Sequence, residues 1–164
     1  MKTLFRSLLA AFSLSFLAAG IAADTSLVGQ FAPSLKYTDL SGKPIDLAAL
    51  KGKVVVVDFW ATWCGPCLQE IPGYIELQKK YGPEGLVIVG ISLDKKSPKE
   101  VKKFTEAKGM NYPVAIGDFD AVDAFGGFEV IPTTFLIGRD GKILHQKSGA
   151  MDHAEYEAIL KKAL

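Results

Sequence analysis

The chain has 164 residues, 49% hydrophobic and 23% charged, with a formal net charge of +1. That size and balance fit one globular core and give none of the basic excess that nucleic-acid binding requires. With only two cysteines in the whole chain, a disulfide-stapled scaffold and a four-thiolate zinc site are both excluded.

Lys2 and Arg6 precede an apolar stretch from Leu8 to Ala19, and Gly20, Ala22 and Ala23 supply small residues behind it. This layout reads as a secretory signal peptide over residues 1–22, cut after Ala22 or Ala23. The competing reading is an uncleaved membrane anchor, for which the run is short. Cleavage removes Lys2 and Arg6, leaving 17 basic residues against 18 acidic ones and a net charge of −1. The working domain, residues 23–164, is then exported to a compartment that favours disulfides, where a reducing thiol needs an outside electron supply.

Asp24 to Phe31 carries no clear pattern and is expected to tie down loosely. Leu35, Tyr37 and Leu40, then Ser41-Gly42-Lys43-Pro44, then Ile45 and Leu47, alternate about a turn and predict a hairpin. After the Lys51-Gly52-Lys53 turn, Val54 to Trp60 is apolar on consecutive residues apart from Asp58, the pattern of an interior strand covered on both faces. Beyond the cysteines, Leu68, Ile71, Ile75 and Leu77 predict a helix up to Tyr81-Gly82-Pro83, bent by Pro72. Leu86 to Ile91 is a second buried strand.

Ser97-Pro98-Lys99-Glu100 combines a capping serine, a first-turn proline and a glutamate three residues after the cap, so a helix runs from Pro98 to about Lys108 and stops at Gly109. Tyr112 to Ile116 reads as a short strand and Asp120 to Phe125 as a short helix. Thr133 to Ile137 and Ile143 to Lys147 flank the Arg139-Asp140-Gly141-Lys142 turn as a second hairpin. Asp152 and Glu155 cap a last helix with Tyr156, Ile159 and Leu160 facing inward. The order predicts an α/β fold, a mixed sheet with helices on its faces.

The cysteines lie in Trp63-Cys64-Gly65-Pro66-Cys67, directly after the first buried strand. A ring closed over so few residues constrains the unfolded chain little, about 2 kcal/mol in the loop-entropy picture, so the spacing serves exchange better than stapling. Cys64 falls at the N-terminal edge of the following helix, where unpaired amides and the macrodipole favour a thiolate. Cys67, one turn further in, is expected to be more buried, which assigns attack to Cys64 and resolution to Cys67. Pro66 preorganises the first turn. The alternatives are a structural disulfide or half of a metal site; His145 and His153 are distant in sequence and read as ordinary surface positions.

Val57-Asp58-Phe59-Trp60-Ala61-Thr62-Trp63-Cys64-Gly65-Pro66-Cys67 resembles the active-site segment of thioredoxins. Leu68-Gln69-Glu70-Ile71-Pro72, the upstream Gly42-Lys43 and Gly52-Lys53, and Gly90-Ile91-Ser92-Leu93-Asp94 extend the likeness to the exported TlpA/ResA-like thiol-disulfide oxidoreductases. The resemblance implies a thioredoxin fold with an N-terminal hairpin and a central insertion, here around Pro98 to Phe125. It assigns Asp58 to take the proton of Cys67, and a strand position behind four valines would desolvate that carboxyl and raise its pKa; the alternative is a carboxylate reaching solvent at the strand's end. Glu70, one turn beyond Cys67, could also move that proton, and it matches the glutamate that modulates the thiols and shapes the cleft; the bland alternative is a solvated surface residue.

Ile131-Pro132-Thr133 resembles the loop in which thioredoxins carry a cis-proline, so Ile131 and Pro132 join Trp63, Gly65 and Pro66 as expected substrate-binding positions. Trp60, Phe125, Phe128 and Val130 are assigned mainly to packing. What the likeness implies is a periplasmic protein-disulfide reductase without cofactor or metal. It would be fed by a membrane thiol-electron transporter and act on a disulfide-bearing protein, one candidate being an apocytochrome c. A thiol oxidase or isomerase and a copper-binding chaperone on the same fold are the rivals; a peroxidase lacks a separate peroxidatic cysteine.

Overall fold

Val54 to Val57 are four β-branched residues in a row, stiff at χ1 and at home on a pleated surface. In the computed structural model, which describes residues 26–164, they open strand β3 (Val54–Trp60), buried at every position. The reading of residues 1–22 as a signal peptide falls outside the described residues. β3 lies parallel to β4 (Leu86–Ser92) and antiparallel to β6 (Thr133–Ile137). β5 (Val114–Ile116) flanks β4 and β7 (Ile143–Ser148) flanks β6, giving the five-stranded order β5-β4-β3-β6-β7.

Both faces of this sheet are covered, which is why β3 shows no alternation. Val54, Val56 and Trp60 pack with Ile71 and Leu77 of helix α1 (Gly65–Tyr81) and Leu160 of α4 (His153–Lys161). Val55, Val57 and Phe59 face the other layer, where Phe125, just after α3 (Phe119–Ala124), meets Phe59 at 5.3 Å and Phe135 at 4.8 Å between ring centroids. Asp58 is thus an acid on the α1 side of the central strand. Helix α2 (Pro98–Ala107) forms the expected capping box between Ser97 and Glu100, and the turn after it places Gly109 at φ +67°. The architecture is the thioredoxin fold, and the segment expected as an insertion folds as α2, β5 and α3.

The sheet edges are closed in three ways. Strands β1 (Lys36–Thr38) and β2 (Pro44–Asp46) form the predicted hairpin as a separate sheet, and the Leu40 amide donates to the Val114 carbonyl. β5 is shorter than Tyr112 to Ile116 because Pro113 cannot donate and only its carbonyl joins β4, accepting from Gly90. The part of β4 left unpaired is met by Gln78 of α1, whose amide donates to Leu86 O at 3.2 Å and accepts from Ile88 N–H at 2.7 Å. At the opposite edge Gly29 and Ala32 donate to Ile143 and Gly141, and Ile143 donates to Gln30. The lead-in expected to be loose is therefore paired along β7, covering what would otherwise be an open edge.

Candidate active site

At the C-terminal end of β3 the chain turns through Ala61, Thr62 and Trp63, and Cys64 becomes the N-cap of α1. Its sulfur accepts from the Cys67 amide at 3.3 Å, the role a capping oxygen plays elsewhere, and Pro66 occupies the first turn. The pair is oxidised, with sulfurs 2.03 Å and Cα atoms 5.3 Å apart.

Cys64 is 5% exposed and Cys67 3%, so the expected contrast in burial is absent from the disulfide form. With the two sulfurs bonded, the helix start wraps both equally. Their surroundings separate them instead. The Ile131 carbonyl lies 3.6 Å from Cys64 Sγ, and the Ile131–Pro132 bond is cis. Pro132 is buried and its carbonyl accepts from Gly149, while the Thr133 hydroxyl donates to Val130 O at 2.7 Å, fixing the loop from both sides. Trp63 is 67% exposed, with Gly65 and Pro66 exposed after it, and Val130, expected to pack, is exposed ahead of the proline loop. Trp60 is core, packed near Phe104, and Phe128 packs on Phe59.

Beneath this end of the sheet lies Asp58, buried, with Oδ1 lacking any hydrogen-bond partner among the described residues. Its strand neighbours are Gly90 on β4 and Thr134 on β6. Burial, reinforced by the charge of Glu70, pushes its carboxyl well above the usual range. Glu70 is half-buried, which sets aside the solvated-surface reading: Oε1 accepts from the Met151 amide at 2.9 Å and Oε2 is buried without a partner. Burial raises its pKa too, opposed by the Met151 bond and the charge of Lys147.

Two groups at the site carried no role in the sequence reading. Asp94 is buried and accepts from Thr62 twice, from the amide at 2.8 Å and the hydroxyl at 2.6 Å, and from the Ser92 hydroxyl at 2.8 Å. Lys96 Nζ also donates to Thr62 Oγ1 at 3.0 Å. The signal was the acid that closes the apolar Leu86 to Leu93 run, but only the β3–β4 register, Trp60 opposite Ser92, sets it against Thr62. Tyr74 of α1, Tyr112 from the segment ahead of β5 and Tyr156 of α4 also pack together on the Asp58 side of the sheet.

The histidines divide. His153 is exposed and lies 3.7 Å from Glu76, as expected of a surface position. His145, on β7 opposite Leu136, is half-buried; Nδ1 has no partner among the described residues and burial lowers its pKa, so it is no ordinary surface residue.

A helix-capping thiol, a second thiol one turn inside, a buried acid with a raised pKa and an exposed aromatic rim form a site for reversible dithiol exchange. The AhpC/TSA family profile matches residues 28–146. The chain is 40% identical over 135 residues to thiol-disulfide oxidoreductase ResA of Bacillus thuringiensis (strain Al Hakam), covering 82% of this chain and 78% of the relative. Against ResA of Bacillus subtilis (strain 168) the identity is 35%, over 81% of this chain and 75% of the relative. The crystal structure of a thiol:disulfide interchange protein, a thioredoxin family protein from Chlorobium tepidum TLS, superposes with a TM-score of 0.75 at 36% identity, covering 81% of this chain and 94% of that one. By sequence, fold and site together, the chain belongs to the AhpC/TSA family and is a ResA-like thiol-disulfide oxidoreductase.

Proposed function

We propose that this protein is an exported protein-disulfide reductase working in the periplasm, tethered to the membrane if its leader is retained. The observation that carries the reading is the placement of Cys64 Sγ 3.6 Å from the Ile131 carbonyl, beside the exposed Trp63. An extended substrate segment laid against Ile131 and Pro132 brings its disulfide to Cys64, with Trp63, Gly65 and Pro66 as the rim.

The Cys64 thiolate attacks a substrate sulfur, one substrate thiol leaves, and a mixed disulfide forms. Cys67 loses its proton to Asp58, with Glu70 setting the acidity of that carboxyl, and attacks Cys64. The second substrate thiolate departs and the enzyme is left oxidised, as in the structure. A membrane thiol-electron transporter then restores the dithiol, as an exported reductant requires. The Gly65-Pro66 pair supports the reducing direction, and the cysteine pair of an apocytochrome c is the substrate class that the ResA likeness favours.

Cys67→Ser expressed in the host should trap substrate on Cys64. A few exported proteins with an apocytochrome c among them is the expected catch; a broad unrelated set points to a general reductase, and an empty trap removes the reading. A reduction potential near about −270 mV fits the reductase, whereas one near about −120 mV would make it an oxidase. Tight stoichiometric Cu(I) binding without reductase activity would make it a copper chaperone.

A further inference from the structure

Three of the chain's five tyrosines pack together on the Asp58 side of the sheet. Tyr74 comes from α1, Tyr112 from the segment ahead of β5 and Tyr156 from α4. The ring centroids are 6.4 Å apart for Tyr74 and Tyr112 and 5.8 Å for Tyr74 and Tyr156. Tyr156 packs in the same core layer as Trp60 and Cys67, the layer onto which Asp58 and its register partner Thr134 on β6 face. Tyr156 and Asp58 therefore lie on one face of the sheet.

The hydroxyls of Tyr112 and Tyr156, Oδ1 of Asp58 and Oε2 of Glu70 are all buried without a hydrogen-bond partner among the described residues. Buried polar atoms are rarely left unsatisfied, and where protein supplies no partner, ordered water does. With ordered water on these four atoms, one of them Asp58's own, a hydrated passage would cross an otherwise apolar layer.

Its outlet would be the flank of α1. A cleft of about 320 Å³ between α1 and α4 is lined by Glu70, Tyr74, Met151 and Tyr156, with His153 and Glu76 at its exposed rim. It opens on the flank of α1, away from the helix start, where a bound protein substrate would shut Cys64 and Cys67 from bulk water.

We propose that the Tyr156 hydroxyl, with water on either side, is a proton relay joining Asp58 to the α1–α4 cleft, so that the Cys67 proton leaves by the flank while substrate covers the sulfurs. This rests on the reading of Asp58 as the acceptor of that proton. As Cys67 attacks, its S–H bond breaks and the Cys64–Cys67 bond forms, the bond from Cys64 to the substrate breaks, and the substrate sulfur leaves with the electron pair. The proton passes to the Asp58 carboxylate, then to the Tyr156 hydroxyl, which releases its own proton to water in the cleft and ends unchanged. Burial raises the pKa of Tyr112 and Tyr156 far above the ordinary phenol value, so both stay protonated and able to donate. The titratable and charged groups facing the passage are Asp58, Glu70, Tyr74, Tyr112, Tyr156 and, from β7, Lys147.

Tyr156→Phe removes only the hydroxyl, and one without a protein partner, so the fold is retained. The full-length reduced enzyme is mixed with the aromatic disulfide dithiobisnitrobenzoate, whose coloured thiolate appears once on attack by Cys64 and again on resolution by Cys67. The expected result is an unchanged first release and a second release slowed about tenfold or more in Tyr156→Phe, the range for loss of a proton-transfer group. A second release within about twofold of the parent, too small for such a group, overturns the relay if Asp58→Asn is slow, and overturns both readings if Asp58→Asn is also unimpaired.

Discussion

Asp94 holds Thr62 by both of its donors, the amide at 2.8 Å and the hydroxyl at 2.6 Å, and Thr62 stands two residues ahead of the Cys64 cap. The loop carrying Trp63 and Cys64 is thereby tied to the end of β4, and the carboxylate is shielded from water by the same burial. Asp94→Ala strands three donors, those of Thr62 and the Ser92 hydroxyl, and is expected to cost about 2–4 kcal/mol in urea unfolding. It should also shift the Cys64–Cys67 potential, because the helix start loses its anchor. A variant as stable as the parent with an unmoved potential would show the clamp to be idle.

The raised pKa of Asp58 has a definite consequence for stability. A carboxyl raised on folding binds more protons in the native state than in the unfolded one, so stability falls as pH rises from its unfolded value of about 3.9 toward the raised folded value. The loss is complete above the folded value and absent below the unfolded one. Asp58→Asn removes this contribution, with a slope approaching about 1.4 kcal/mol per pH unit inside that window, and should be the more stable protein at neutral pH. Urea midpoints of the two proteins that run parallel across pH would contradict a buried, titrating Asp58.

Glu70 adds to the elevation of Asp58 through its charge. Glu70→Gln keeps an oxygen for the Met151 amide and removes that charge, so the Asp58 carboxyl should titrate lower. The pH profile of the Cys67 resolution step should move toward acid with its plateau rate largely kept. An unmoved profile would mean that Glu70 and Asp58 do not sense each other in solution.

Trp63 contributes nothing to the core, being largely exposed beside the sulfurs. Trp63→Ala should leave the melting temperature unchanged and weaken a protein substrate by about 1–2 kcal/mol, about five- to thirtyfold in KM, while reaction with a small aromatic disulfide is little affected. Equal loss on both substrates would place Trp63 in the chemistry and not on the docking rim.

Much of this protein is written in local patterns. The valine run, the Ser97 capping box, the Arg139 to Lys142 turn and the cysteine spacing each act over a few residues, so strands, helices and the redox pair were legible with bounds close to those observed. The resemblance singled out Pro132, Asp58 and Glu70, and the fold sets the cis Ile131–Pro132 bond beside Cys64 and takes both acids out of full solvent. What stayed hidden depends on contacts between segments remote in sequence. Gly29 to Ala32 has no pattern of its own because its bonds are made to β7. His145 reads as surface until β7 pairs with β6 and sets it opposite Leu136. Asp94 gains its partner only from the β3–β4 register, and three tyrosines from three elements meet on the Asp58 side of the sheet only when α1 and α4 close over it. Local propensity and spacing decided the elements and the reacting thiols; the acidity around them and the path their proton can take were decided by packing, because burial and cross-strand neighbours exist only in the folded chain.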